Sequence, residues 1–315
     1  MIRLLFLSAL LVGLSGCGPA KSLAVDVLGY SEASLQEENV RRDVAYLPDG
    51  DPKHRLNLFL PLADSVRATP WPVVMFVHGG GWTEGDRDFS FGGEDFYNNV
   101  GRYLAGHGIG TAVISYRLLP TTDWRSQVAD VAAALAFVQD TVATFGGDPA
   151  SVVLMGHSAG AQLSARVAYD PAVREAAGAM PACGLVSVSG AALDLVDPAT
   201  WETGTRFGYY SALFSPSNED LDGPPETPYP WQVEASPVSY VTSDDPATLI
   251  LYADGEAALF GTQAAALARA LRAASVFHST AVMPAFNHEV GVLNLSHPDR
   301  VVGPETLRFV RQRDC

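Results

Sequence analysis

Cysteine is scarce. Only Cys17, Cys183 and Cys315 occur in 315 residues, with no Cys-x-x-Cys pair and no Cys/His cluster. That spacing excludes the common structural zinc sites and a small disulfide-built scaffold. A chain of this length buries about 75% of the surface its unfolded form exposes, so its core needs neither metal nor disulfide. Positive charge is also short: 20 Lys and Arg stand against 35 Asp and Glu, a formal net charge of −15. Such a surface repels phosphate backbones and argues against nucleic acid as a partner. The sequence shows no internal repeat and no low-complexity tract beyond alanine-rich stretches, so one folded unit is expected.

The first residues read as a targeting segment. A short basic start, Met1-Ile2-Arg3, precedes an apolar run over 4–14. The run is too short to span a membrane and has the length of a signal-peptide core. It ends in Leu14-Ser15-Gly16-Cys17, which resembles the lipobox of bacterial lipoproteins, whose cysteine carries the lipid and becomes the mature N-terminus. The expectation is a signal peptide over 1–16, lipidation at Cys17, a polar tether over 17–40 and a folded domain over 41–315. That places the protein outside the cytoplasm, in the bacterial envelope, held to a membrane by its lipid. A plain signal peptide with an incidental cysteine is the other reading. Export to an oxidising space would allow Cys183 and Cys315 to pair, and two free thiols are equally compatible with the sequence.

From residue 41 the pattern is strand, turn, strand: 44–47, a Pro-Asp-Gly-Asp turn, then 56–60, which begins by alternating apolar and polar residues like a half-buried antiparallel strand. After Trp71-Pro72 come continuous apolar runs at 73–77, 111–115, 152–155, 184–188 and 248–252. Such runs suit strands covered on both faces. Helical segments lie between them. Val128, Val131, Leu135, Val138 and Val142 repeat at steps of three and four, and 262–274 is alanine-rich. Strands alternating with helices predict an α/β fold with a mostly parallel, doubly wound sheet. The stretch 194–237 breaks the alternation. It is rich in Pro, Gly, Asp and Ser, yet holds Trp201, Phe207, Tyr209, Tyr210, Phe214, Tyr229 and Trp231. It reads as an insertion, either lining a pocket beside the functional site or packed on the core. Pro216, Pro224, Pro225, Pro228 and Pro230 disfavour a long helix there.

Chemistry concentrates in two glycine motifs. Gly156-His157-Ser158-Ala159-Gly160 joins the apolar run 152–155 to a helical stretch over 161–168. At a strand-to-helix turn this spacing makes a nucleophile elbow: the glycines remove clashes, and the helix N-terminus favours developing negative charge. His78-Gly79-Gly80-Gly81-Trp82 follows the run 73–77. A tetrahedral oxyanion needs preorganised donors, and a glycine run lets backbone N–H groups approach it. Gly80 and Gly81, with the N–H of Ala159, are the expected oxyanion hole, with Gly79 as the other candidate. No lysine follows in phosphate-loop spacing. His78 is expected to order this loop.

A serine nucleophile needs a base and an orienting acid, in the chain order nucleophile, acid, histidine. Of seven histidines, His288 fits best, in a loop after the run 276–283, and His297 is its rival. Two carboxylates, Asp254 and Glu256, follow the run 248–252. Asp254 lies nearer the strand, whereas Glu256 has the longer reach. Asp194 is expected to cap a turn.

Together these residues resemble the α/β-hydrolase superfamily, particularly esterases with an H-G-G-x-W motif. That group includes feruloyl and acetyl-xylan esterases, kynurenine-formamidase-like enzymes and hormone-sensitive-lipase-like esterases. The likeness runs over about 44–311. It extends to Tyr116-Arg117-Leu118, Phe145-Gly146-Gly147-Asp148-Pro149 and Ser236-Pro237-Val238. The resemblance implies a serine carboxylic-ester hydrolase without cofactor or metal, acting on a small-molecule ester through Ser158, His288 and an acid. The usual Gly-x-x-Asp of the acid is replaced here by Ala253-Asp254-Gly255-Glu256. Counting back from Gln263, which resembles the family's glutamine, selects Glu256 over Asp254. Formamide hydrolysis by the same residues, or an inactive binding module on the same fold, are the alternatives.

Overall fold

The computed structural model describes residues 35–66, 69–91, 94–215, 227–284, 288–293, 295–296 and 301–313. The expectations for Cys17, His297 and Cys315 lie outside them, as do those for Pro216, Pro224 and Pro225. The strands are β1 (Val40–Ala45), β2 (Arg55–Phe59), β3 (Trp71–Val77), a short hairpin of β4 (Ser90–Phe91) and β5 (Glu94–Asp95), β6 (Gly110–Ile114), β7 (Gly147–His157), β8 (Gly184–Val188), β9 (Thr248–Ala253) and β10 (His278–Met283). The helices are α1 (Phe96–Gly106), α2 (Trp124–Thr141), α3 (Ala159–Tyr169), α4 (Pro171–Ala177), α5 (Thr203–Phe214), α6 (Pro230–Ala235), α7 (Ala258–Ala273), α8 (Val290–Leu293) and α9 (Val302–Arg311).

Eight strands form one sheet in the order β1-β2-β6-β3-β7-β8-β9-β10. β2 pairs antiparallel with β1 and β6, and the rest of the sheet is parallel. The continuous apolar runs have the expected cause. Successive side chains of β3 and β7 point to opposite faces, and both faces are covered. Val73, Met75, Val77, Val152 and Leu154 join α2, α3 and α7 in one core. Val74, Phe76, Val153 and Met155 join α1 and α9 in the other. The predicted stripe Val128, Val131, Leu135, Val138 and Val142 is buried throughout. Asp123 caps the start of α2, accepting from the Ser126 N–H at 2.7 Å.

Three expectations are corrected. The tether was expected to run to residue 40, but Leu35 already packs on the core and a 3₁₀ turn, Glu37–Asn39, leads into β1. β1 starts earlier than the predicted strand over 44–47. Its mostly exposed face and the register shift between Arg41 and Val44, with Asp43 at φ 55°, erase any alternation. β2 is buried on both faces rather than half-buried. Its polar residue, Asn57, is paired inside the protein: its amide donates to Asp88 at 2.6 Å and to Asn98 at 3.0 Å. Burial is therefore compatible with a polar residue there.

The insertion is more helical than its composition suggested. α5 contains Gly204 and Gly208, poor helix formers, so packing and not propensity must support it. Trp201, Phe207, Tyr210, Phe214 and Trp231 are all buried in the main core. Those aromatics therefore pack on the core. Tyr209 differs, with 49% of its surface exposed. Asp194 does cap a turn, accepting from the N–H groups of Val196 and Asp197. Gln263 ties the insertion to α7: its side chain accepts from Asp194 N–H and donates to the carbonyls of Asp194 and Thr200. Cys183 is disulfide-bonded.

Candidate active site

β7 delivers Ser158 to the C-terminal edge of the parallel strands, and α3 begins at the next residue. The turn is strained: Ser158 has φ 56° and ψ −120°, outside the regions L-residues favour. Two glycines make this tolerable. A Cβ on Gly156 would come 2.2 Å from the Gly160 carbonyl oxygen, and one on Gly160 would come 2.3 Å from that of Val77. The Ser158 N–H is anchored to the Val188 carbonyl at 2.9 Å.

The glycine loop lies against this elbow. A Cβ on Gly79 would meet His157 Nδ1 at 2.9 Å and Ser158 Cβ at 3.1 Å. Gly80 at φ 117° and Gly81 at φ 56° turn the loop. A backbone hydrogen bond with Gly79 opposes the upward push of burial on the Tyr97 phenol. Among the described residues, no acceptor takes the N–H of Gly80, Gly81 or Ala159. Those three donors are left for a ligand. His78 is wholly buried, stacked on Tyr116 at 4.3 Å, and its Nδ1 lies 2.7 Å from the Gly79 carbonyl. Burial pushes its pKa down to about 4, so it stays neutral. Tyr116 donates to the His78 carbonyl at 3.0 Å, which fixes the loop's base. Trp82 continues the loop inward and donates from Nε1 to Gln162 of α3 at 3.1 Å.

His288 approaches from beyond β10. Its Nδ1 lies 2.7 Å from Glu256 Oε2. The other oxygen, Oε1, accepts from the Ser189 hydroxyl at 3.0 Å and from the Ala253 N–H at 2.8 Å. The Glu256 side chain is almost fully buried, at 1% exposure. Burial raises its pKa, and the Ala253 and Ser189 hydrogen bonds oppose that rise. Asp254, two residues earlier, is exposed. Of the two candidate acids, then, the structure brings Glu256 to the histidine. Phe260 stacks on the His288 ring at 4.0 Å. His288 Nε2 is buried and has no partner among the described residues. Burial pushes the His288 pKa down to about 4.

His157, Ser189 and Phe260 had no role assigned from the sequence. His157 Nε2 lies 3.0 Å from the backbone carbonyl of His288, with ring centroids 4.7 Å apart. Burial first, then the nearby His288, holds its pKa near 3, so it is neutral and its Nε2–H donates. The elbow is thereby tied to the histidine segment through the residue next to Ser158. The only local signal was a polar residue placed where the elbow must be buried. Ser189, at φ 46° just past β8, carried no signal at all. Other histidines are occupied elsewhere: His54 with Asp49 and Asp130, His107 with the Tyr103 carbonyl and His278 with that of Val276. Among the described residues no group of three or more His, Cys, Asp or Glu is arranged to hold a metal.

A profile of the BD-FAE family matches residues 56–271. A probable isoprenylcysteine alpha-carbonyl methylesterase of Arabidopsis thaliana is 35% identical over 140 residues, covering 44% of this chain and 30% of its own. Carboxylesterase NlhH of Mycobacterium tuberculosis is 38% identical over 101 residues, 31% of this chain and 28% of its own. The chain thus spans less than a third of the length of these relatives. Esterase B from Lactobacillus rhamnosis superposes with a TM-score of 0.68 over 93% of this chain and 90% of that one, at 24% identity. A truncated carbohydrate esterase from gut microbiota does so with a TM-score of 0.68 over 89% and 96%, at 19% identity. With the sheet order and the elbow, these superpositions establish the α/β-hydrolase fold.

Proposed function

The chain belongs to the BD-FAE family, and from that premise we propose that it is a serine hydrolase of carboxylic esters using Ser158, His288 and Glu256. One observation carries the reading: His288 is clamped at Nδ1 by a buried carboxylate at 2.7 Å, with Nε2 unpaired, beside a strained serine elbow. In this reading His288 Nε2 takes the Ser158 hydroxyl proton as Oγ attacks the ester carbonyl. Negative charge moves to the carbonyl oxygen, where the N–H groups of Gly80, Gly81 and Ala159 receive it. His288 returns the proton to the leaving alcohol, and a water attacks the acyl-enzyme by the same route. Glu256 holds the tautomer with the proton on Nδ1 and stabilises the imidazolium.

The names of the matched relatives, a methylesterase and a carboxylesterase, support esters over amides. The proposed substrates are small esters with short acyl groups. We further propose export and lipid anchoring at Cys17, supported by the apolar run that ends at Leu14-Ser15-Gly16-Cys17.

Ser158→Ala should leave a folded protein with turnover lower by about 10⁴- to 10⁶-fold. The check is a panel of p-nitrophenyl esters, acetylated xylan, methyl ferulate and N-formylkynurenine, with fluorophosphonate labelling in parallel. Near-normal turnover by the variant would remove Ser158 from the reaction. Turnover of N-formylkynurenine alone would make the enzyme a formamidase, and no labelling or turnover would leave only a binding module.

A further inference from the structure

The insertion places one hydroxyl over the glycine loop. A Cβ built on Gly81 would come 3.1 Å from Tyr209 Oη. Gly81 follows Gly80 in the loop, and neither of these two N–H groups has an acceptor among the described residues. The Tyr209 hydroxyl likewise has no hydrogen-bond partner among them. Its ring is half-exposed, while its aromatic neighbours on α5, Tyr210 and Phe214, are buried.

Packing sets this position independently of any contact made by Tyr209 itself. Phe214 and Tyr210 meet Trp82 edge-on, with centroids 5.0 Å and 6.2 Å away. Trp82 is the residue directly after Gly81. Trp124 of α2 donates from Nε1 to the Phe214 carbonyl at 3.1 Å, and Trp201 meets Tyr210 at 5.7 Å. α5 and the glycine loop are therefore held as one block. Tyr209 meets Tyr210 edge-on at 5.2 Å, which limits its ring. Desolvation raises the phenol pKa and Glu84 adds to that, against the pull of Arg206, so the group remains an O–H donor at ordinary pH.

We propose that Tyr209 is a substrate-contacting residue whose hydroxyl donates a hydrogen bond to the carbonyl oxygen of the scissile ester, beside the Gly81 N–H. The role rests on the ester-hydrolase reading. A donor held against Gly81, beside the unpaired Gly80 and Gly81 N–H groups, would add a side-chain donor to those that receive the oxyanion. It also gives the insertion a part in the reaction, through one residue at its exposed edge.

The test is Tyr209→Phe, which removes only the hydroxyl from a half-exposed ring. Turnover of p-nitrophenyl acetate and butyrate, the rate of fluorophosphonate labelling of Ser158 and the thermal midpoint are measured together. Removing an oxyanion donor typically costs about 10²- to 10³-fold in kcat. Loss of this one hydroxyl is expected to cost about 10- to 100-fold in kcat for both esters, with KM nearly unchanged. Labelling should slow in parallel, because the phosphonyl oxygen occupies the same place, and the midpoint should hold. Unchanged kcat and labelling in Tyr209→Phe, with an active wild type, would overturn the role of Tyr209 alone. A change confined to KM would overturn it too, making the residue a surface contact. Absence of turnover and labelling in the wild type would overturn the ester reading and this inference together. If Tyr209→Phe shifts the midpoint, Tyr209→Leu separates the cases: a purely structural role predicts kcat falling with the midpoint, and a hydroxyl role predicts equal kcat in both variants.

Discussion

Glu256 is bound at both oxygens, and each bond has a different consequence. Ser189 and the Ala253 N–H hold Oε1, which fixes the carboxylate plane. That leaves Oε2 for His288. Glu256→Gln keeps the shape and removes the charge that stabilises an imidazolium. It should lower turnover by about 10²- to 10⁴-fold with the thermal midpoint roughly steady. Asp254→Asn should cost little, since that side chain is exposed at the strand end. Reversed results would move the acid to Asp254. The pH profile follows from the same pair. The base must be neutral, and burial pushes His288 from 6.5 down to about 4. Activity should therefore persist from neutral into mildly acidic solution and fall as pH drops through the lowered value. Protonation of Glu256, whose pKa burial raises above 4.5, removes the acceptor at Nδ1 and adds to the same acid limb. A plot of kcat/KM against pH checks this. An acid limb centred above 6.5 would contradict the buried, neutral base.

At the scale of elements, the sheet aims three separate segments at one place. β3 ends in the glycine loop, β7 in the Ser158 elbow and β9 in the Glu256 turn, all at the C-terminal ends of parallel strands. Helix N-termini also gather there, which favours anionic intermediates. The insertion contributes differently. α5 is a 12-residue helix whose Phe207, Tyr210 and Phe214 are buried, and Tyr229 and Trp231 stack at 6.4 Å beside it. A helix committed to the core in this way is unsuited to swinging open at an oil interface. Pro230 opens α6 at its first turn, where proline is tolerated, and that helix is only six residues long. Short acyl groups, from acetyl to about hexanoyl, are therefore the expected substrates. Rates for p-nitrophenyl butyrate and palmitate measure this directly. Faster cleavage of palmitate would mean that α5 moves.

For the whole molecule, charge and anchoring belong together. The formal net charge is −15, so the folded domain is repelled by anionic lipid headgroups. The proposed anchoring at Cys17 therefore rests on a covalent lipid and its acyl chains and not on charge. Mass spectrometry of the mature protein should find a diacylated or triacylated cysteine at position 17. An unmodified N-terminus downstream of Cys17 would indicate a plain signal peptide.

The sequence by itself determined the local features of this protein. Gly156-His157-Ser158-Ala159-Gly160 and the glycine run after β3 were legible because backbone conformations that exclude a Cβ leave glycines in the sequence. The parallel strands were legible because burial on both faces removes alternation. Only the tertiary structure decided what depends on distant partners. The resemblance already favoured Glu256 over Asp254, but its contacts with Ser189, 67 residues away, and with His288 came only with the fold, and His157 found its acceptor 131 residues away. The helix over Thr203–Phe214 was hidden for the same reason: weak intrinsic propensity is outweighed by aromatic contacts with Trp82 and Trp124. Tyr209 looked like any other aromatic of the insertion until those contacts set its hydroxyl over Gly81. Local sequence encodes which backbone shapes are allowed, and the packed sheet decides which side chains then meet.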